Sequence, residues 1–201
     1  MGQSIHRMHF FGDSLTAGYG ALPQDGWVSR LEKAFSTVSC YNHGVCGAGV
    51  QDIFDEVACF LPRQAGELFF FMGGTNDILG GIRLDYLEKE VEQGIRKIGE
   101  SGPLLLGIPP MATKESIYAG WQSEYNFERN QEDLRQYGEF LRCLARNCHL
   151  RYLDFSQAFP LADAWYSDGL HPNGKGYGKM AELACRVLEE ELLTNGRQDL
   201  V

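Results

Sequence analysis

Apolar residues gather in five short runs along the chain, at 8–11, 38–42, 68–72, 104–108 and 151–155. Three of these are apolar almost throughout, the pattern of strands covered on both faces in a parallel sheet. Between the runs the spacing becomes helical. Apolar positions recur at 50, 53, 54, 57 and 60, at 84, 87, 91, 95 and 98, and at 134, 137, 141, 144 and 148. A short stretch at 27–35 behaves likewise, and a last one at 174–193 carries Tyr177, Met180, Ala184, Val187, Leu188 and Leu192 on one side. Each pattern predicts an apolar stripe laid against a sheet. Strand followed by helix, repeated, predicts an α/β fold with a doubly wound sheet and helices on both faces.

One segment resists this reading. Residues 109–127 show no period and are rich in aromatics (Tyr118, Trp121, Tyr125, Phe127). They are expected to form a long loop, with a helical turn at most, and such loops at the carboxyl edge of a parallel sheet are usually functional. The polar residues 194–201 are expected to be a frayed tail. No repeat or low-complexity segment divides the 201 residues, which suit a single domain over 1–201.

Composition narrows the partners. The chain is 44% hydrophobic and 22% charged, as in ordinary globular proteins, with a net charge of −9. That charge and the lack of a basic run argue against nucleic acid and against anionic membranes. No apolar run approaches the length of a bilayer span, so no stable membrane anchor is expected. The start, MGQSIHRMHFF, lacks a leader pattern, and His6 stands where a myristoylation signal needs Ser or Thr. The six cysteines form no C-x-x-C pair, and their mostly apolar chain neighbours predict reduced, partly buried thiols in a cytoplasmic protein. Gly44, Gly47 and Gly49 do not compose a dinucleotide fingerprint, and no spacing suggests a metal, so neither a cofactor nor a metal is expected.

In an open parallel sheet, ligands bind beyond the carboxyl ends of the strands. The residues following the five runs are Gly12-Asp13-Ser14, the Asn42–Gly47 stretch, Gly73-Gly74-Thr75-Asn76-Asp77, Pro109-Pro110, and a loop ending Ser167-Asp168-Gly169-Leu170-His171-Pro172. One edge thus collects what acyl transfer requires. Ser14 is a nucleophile that needs a base. His171 is the natural base, and Asp168, three residues earlier, can hold its tautomer. Ser14 N–H, Gly47 N–H and the Asn76 amide are candidate oxyanion donors. Taken singly, each is ordinary: Ser14 a turn residue, Asn76 a helix cap, His171 a structural histidine. Asp13 offers a competing reading as an aspartyl nucleophile for phosphoryl transfer, although Leu15 stands where a second acid belongs. Asp13 is otherwise expected to bind backbone amides and shape the turn, and Asp77 to act as a support or cap. His43 and Cys46 lie close to this edge, but Cys46 has no histidine–acid pair of its own.

The blocks FFGDSLTAG, NHGVCG, GGTNDI and DGLHPN, in this order, resemble those of the GDSL esterase/lipase family, the SGNH hydrolases. The resemblance spans residues 10–173. It implies a flavodoxin-like three-layer sandwich with five parallel strands, no metal, and hydrolysis of esters or thioesters through an acyl-enzyme. The family's Ser, Gly, Asn and His fall here on Ser14, Gly47, Asn76 and His171, with Asp168 as the acid; Gly44 competes with Gly47 for the second place. Ile78, Leu79, Met111, Trp121 and Trp165 are candidates for a substrate wall. An apolar wall suits the acyl chain of a lysophospholipase or thioesterase-like substrate, which is the preferred expectation. Stacking by Trp121 and Trp165 suits a carbohydrate O-acetyl ester instead. A non-catalytic binding module of the same fold would require a lost triad member.

Overall fold

A computed structural model of the chain describes residues 5–196. Five strands pair in parallel: β1 (Arg7–Gly12), β2 (Ser39–Gly44), β3 (Glu67–Met72), β4 (Leu104–Ile108) and β5 (Arg151–Asp154). Their order, β2-β1-β3-β4-β5, is that of flavodoxin-like sheets, with the topological switch between β1 and β3. The α-helices are α1 (Ser14–Ala17), α2 (Trp27–Ala34), α3 (Val50–Ala58), α4 (Thr75–Leu79), α5 (Leu84–Glu100), α6 (Glu115–Tyr118), α7 (Glu124–Asn147) and α8 (Gly174–Gly196).

Alternation along the strands sorts the core into two layers. Phe10, Phe70 and Leu105 face α2 and α8, where Trp27, Leu31, Tyr177 and Met180 pack. Phe11, Phe69, Phe71 and Leu106 face α3, α5 and α7. Every residue of β3 and β4 is buried, as their unbroken apolar runs predict. The register sets Gly12 opposite both Gly44 and Met72, so three strand ends finish level at one edge of the sheet.

Several expectations need correction. β2 runs two residues beyond 38–42 and starts one later; it is an edge strand whose polar Asn42 and His43 pair normally while exposed or half-buried. The segment 109–127 is not a plain loop: it holds α6, and α7 begins ten residues before the periodic stretch at 134. Of the cysteines, Cys46, Cys59 and Cys143 are exposed and only Cys40, Cys148 and Cys185 are half-buried. Cys143, for example, sits between buried Leu141 and Leu144 in sequence but points to the opposite side of α7. Residues 194–196 continue α8 as helix, whereas 197–201, the side chain of Leu192 and residues 1–4 lie outside the described residues. Among the described residues, no helix is long and apolar enough to cross a membrane.

Candidate active site

β1 stops because Asp13 caps the helix that follows. Its Oδ1 accepts the Leu15 N–H at 2.9 Å, and its carbonyl accepts from Thr16 and Ala17, so α1 begins on Ser14. The Ser14 N–H, at the first position of a helix, has no intrahelical acceptor. Ser14 Oγ lies 3.0 Å from His171 Nε2, and His171 Nδ1 lies 2.8 Å from Asp168 Oδ2. The three residues the sequence singled out thus form one hydrogen-bonded series across 157 positions of chain. His171 is only 2% exposed. Its loop is tied down by Ser167 N–H and Oγ–H, which both donate to the His171 carbonyl. Beyond it, Asn173 Oδ1 accepts the Lys175 and Gly176 N–H groups and caps α8.

Asp168 Oδ1 accepts the backbone N–H of Leu170 at 3.1 Å and of His171 at 2.8 Å, while Oδ2 receives the imidazole. Burial pushes this carboxyl up, but the hydrogen bonds from His171 outweigh it and hold Asp168 below the usual carboxylate range. It therefore stays ionised beside the imidazole.

The loops after β2 and β3 meet each other. Gly44 donates its N–H to Asn42 Oδ1 at 2.9 Å, and a Cβ there would lie 2.2 Å from the Ala17 nitrogen; close packing on α1 explains the glycine. Gly47 differs: its φ of +82° calls for glycine although a Cβ would meet nothing within 4 Å. Asn76 Nδ2 donates to the Ala48 carbonyl at 3.0 Å and keeps a second hydrogen. Asp77 turns away to accept the Val50 N–H at the start of α3, at 3.1 Å. It caps that helix in place of a side chain on Gly49. A cleft of about 340 Å³ opens beside Gly47, walled by Val45, Cys46, Ile53 and Glu56. His43 is bonded to His9 at 3.0 Å and stacked on Phe11 at the edge of the sheet.

The expected substrate wall is only partly where the sequence puts it. Ile78 is 1% exposed and belongs to the core layer with Phe71 and Leu87, because the turn of α4 rotates it inward. Leu79 is half-buried. Met111 packs against that same core, and its carbonyl holds the Tyr166 hydroxyl at 2.6 Å. Trp165 stacks on Phe159 and lies under Lys175 in the connection between β5 and α8. Trp121 does reach the site. Its ring meets His171 edge to face, with centroids 4.8 Å apart, and its indole N–H donates to Asp168 Oδ2 at 2.9 Å. Tyr19, which sequence reasoning missed, brings its ring to 4.5 Å from His171 and 5.9 Å from Trp121. Its one signal was its place five residues beyond Ser14.

Asp13 is fully buried, with Oδ2 unpartnered. Burial pushes its carboxyl from 3.8 up to about 7; the Leu15 N–H opposes this and the Asp77 charge adds to it. Between those two pH values the folded chain holds a proton that the unfolded chain has released, so stability falls as pH rises. At about 1.4 kcal/mol per unit, with the slope fading as the folded group ionises near pH 7, the loss from pH 5 to pH 7 is roughly 2 kcal/mol. Asp13→Asn keeps an oxygen for Leu15 N–H and has no charge to desolvate. It should melt higher than wild type at pH 8 and converge with it towards pH 4. Parallel melting curves over that range would contradict the assignment.

A serine, an imidazole and a carboxylate in series at the switch point of such a sheet is an arrangement serine hydrolases use. Sequence comparison agrees: the profile of the GDSL-like lipase/acylhydrolase family matches residues 10–179. The chain belongs to this family and is a carboxylic ester hydrolase of the GDSL type. No curated protein sequence matches it significantly. Similar solved structures include a lipolytic protein of the G-D-S-L family from Veillonella parvula DSM 2008, 24% identical, with a TM-score of 0.76 over 90% of this chain and 97% of that one. A lipase/acylhydrolase from Enterococcus faecalis is 23% identical (TM-score 0.73; 93% and 97% covered). A carbohydrate acetylesterase family member from Sinorhizobium meliloti is 21% identical (TM-score 0.76; 94% and 99% covered). At these identities the structures share the fold with this chain.

Proposed function

We propose that this chain is a single-domain serine esterase working through an acyl-enzyme on Ser14. The observation that carries the reading is the series Ser14 Oγ, His171, Asp168, with contacts of 3.0 and 2.8 Å, at the carboxyl edge of the sheet. Ser14 Oγ attacks the ester carbonyl carbon while His171 Nε2 takes its proton. Asp168, ionised and bonded to Nδ1, keeps the tautomer correct and balances the imidazolium. The tetrahedral oxyanion is met by Ser14 N–H, Gly47 N–H and the free hydrogen of the Asn76 amide. Gly47 is preferred to Gly44 because the Gly44 N–H is already bonded to Asn42. His171 then returns the proton to the departing alcohol. Water, deprotonated by the same imidazole, releases the acid and restores Ser14. No metal or cofactor has a part in these steps.

Two substrate readings follow. A lysophospholipase or thioesterase-like acyl chain would lie on an apolar wall, but Ile78 is sealed in the core. A carbohydrate O-acetyl ester is favoured by one observation: the exposed rings of Tyr19 and Trp121 flank His171, where the departing alcohol must stand.

A fluorophosphonate probe tests the chemistry. It should add one phosphonyl group to Ser14, located by peptide mass spectrometry, and none to Ser14→Ala. A series of p-nitrophenyl esters from acetyl to palmitoyl, assayed with EDTA present, then sizes the site. An acetyl optimum supports the carbohydrate reading, and a long-chain optimum supports the other. Labelling elsewhere, or full activity in Ser14→Ala, would overturn the Ser14 assignment.

A further inference from the structure

We infer that Trp121 is a positioning residue for the Asp168–His171 pair, supplied by the turn between α6 and α7; the inference rests on the reading of Ser14, His171 and Asp168 given above. A carboxylate offers about four acceptor sites. Two on Asp168 Oδ1 are taken by backbone N–H groups and one on Oδ2 by the imidazole; the fourth is filled by the Trp121 indole at 2.9 Å. With Oδ1 pinned to its own loop, the carboxylate retains one freedom, a pivot that swings Oδ2. The indole N–H, arriving from 47 residues away, removes it. The same ring lies edge to face with the imidazole, so a single side chain touches both members of the pair and fixes one against the other.

Trp121 is itself held by a buried polar chain. Its own backbone N–H donates to the Ser116 carbonyl. The next residue, Gln122, donates to Ser116 Oγ at 2.8 Å and accepts from Asn130 Nδ2 at 2.9 Å. Ser116, Gln122 and Asn130 are all buried, and Asn130 belongs to α7. The residues before α6 are also joined to the His171 loop, since Thr113 N–H donates to the Gly169 carbonyl at 2.7 Å and the Thr113 carbonyl accepts the Ser116 N–H. Buried polar groups satisfied in this way make a rigid platform. The aromatic, aperiodic stretch 109–127 thus acquires a specific role, reaching across to steady the acid and base.

Trp121→Phe keeps a ring and removes the N–H. Its kcat should fall about tenfold with KM changed less than twofold, the mark of an interaction that acts in the transition state. In an Asp168→Asn background the same substitution should cost less than twofold, because no carboxylate oxygen remains to be held. Equal costs in both backgrounds, or none in wild type, would overturn the inference while leaving the Ser14 reading intact. Loss of that reading would appear separately, as activity retained in Ser14→Ala. A second measurement needs neither catalysis nor a Trp121 variant. Of the three indole N–H cross-peaks in a proton–nitrogen NMR spectrum, that of Trp121 should move most between wild type and Asp168→Asn. An unmoved Trp121 signal would equally count against the contact.

Discussion

Ser14→Ala, His171→Ala and the double variant should all hydrolyse p-nitrophenyl acetate at one common residual rate, on the order of 10⁶-fold below wild type in kcat. The equality matters more than the size. On the proposed mechanism Ser14 Oγ is a nucleophile only while His171 Nε2, 3.0 Å away, takes its proton, so losing either group abolishes the same step. What should survive is catalysis by water in a site that retains its proposed oxyanion donors, and removing the second member should take nothing further away. Steady-state kinetics on freshly purified variants, with circular dichroism to confirm folding, settles the point. A double variant slower than either single by the product of the two effects would mean that serine and histidine act independently.

Asp168→Asn should lower kcat about 10⁴-fold with the fold unchanged, and the reason lies in donors and acceptors. Oδ1 receives two backbone N–H groups, which an asparagine oxygen satisfies equally well. The amide nitrogen then takes the place of Oδ2 and presents hydrogens towards His171 Nδ1. To accept one, the imidazole must carry its own proton on Nε2, where it faces Ser14 as a donor and cannot act as a base. The same nitrogen meets the Trp121 N–H donor to donor, so the indole loses its partner as well. The altered atom faces His171 and the Trp121 N–H rather than the ester, so KM should stay within a few-fold. A variant retaining a tenth of wild-type kcat would show that His171 needs no carboxylate.

The layers of this molecule were legible in its sequence where burial was two-sided. β3 and β4 are covered on both faces and read as unbroken apolar runs. β2 lies at the edge, carries mixed exposure and so hid its ends. The first turns of α7 escaped notice because they bury Asn130 in a polar chain where the pattern looks for an aliphatic stripe. In the candidate site, Ser14, Asp168 and His171 were readable because each follows a strand or occupies the final loop, and strand ends meet by topology. The Tyr19–His171–Trp121 contacts were not: they depend on how α6 and α7 fold back over the sheet, which no local spacing encodes. Ile78 misled for the same reason, since its distance from a strand end says nothing of which way a short helix turns it.

The consecutive residues Asn76 and Asp77 tether two neighbouring points of one loop, Ala48 by its carbonyl and Val50 by its N–H. The connection after β3 therefore cannot shift without dragging the connection after β2, and with it Gly47. Mechanically the two are a single jaw, set when the chain folds rather than when an ester arrives. A site built this way spends little of its substrate's binding energy on closing. On the proposed assignment it should discriminate by a fixed shape, and its tolerance for new esters should be altered more readily from the Tyr19 and Trp121 side than from the Gly47 side.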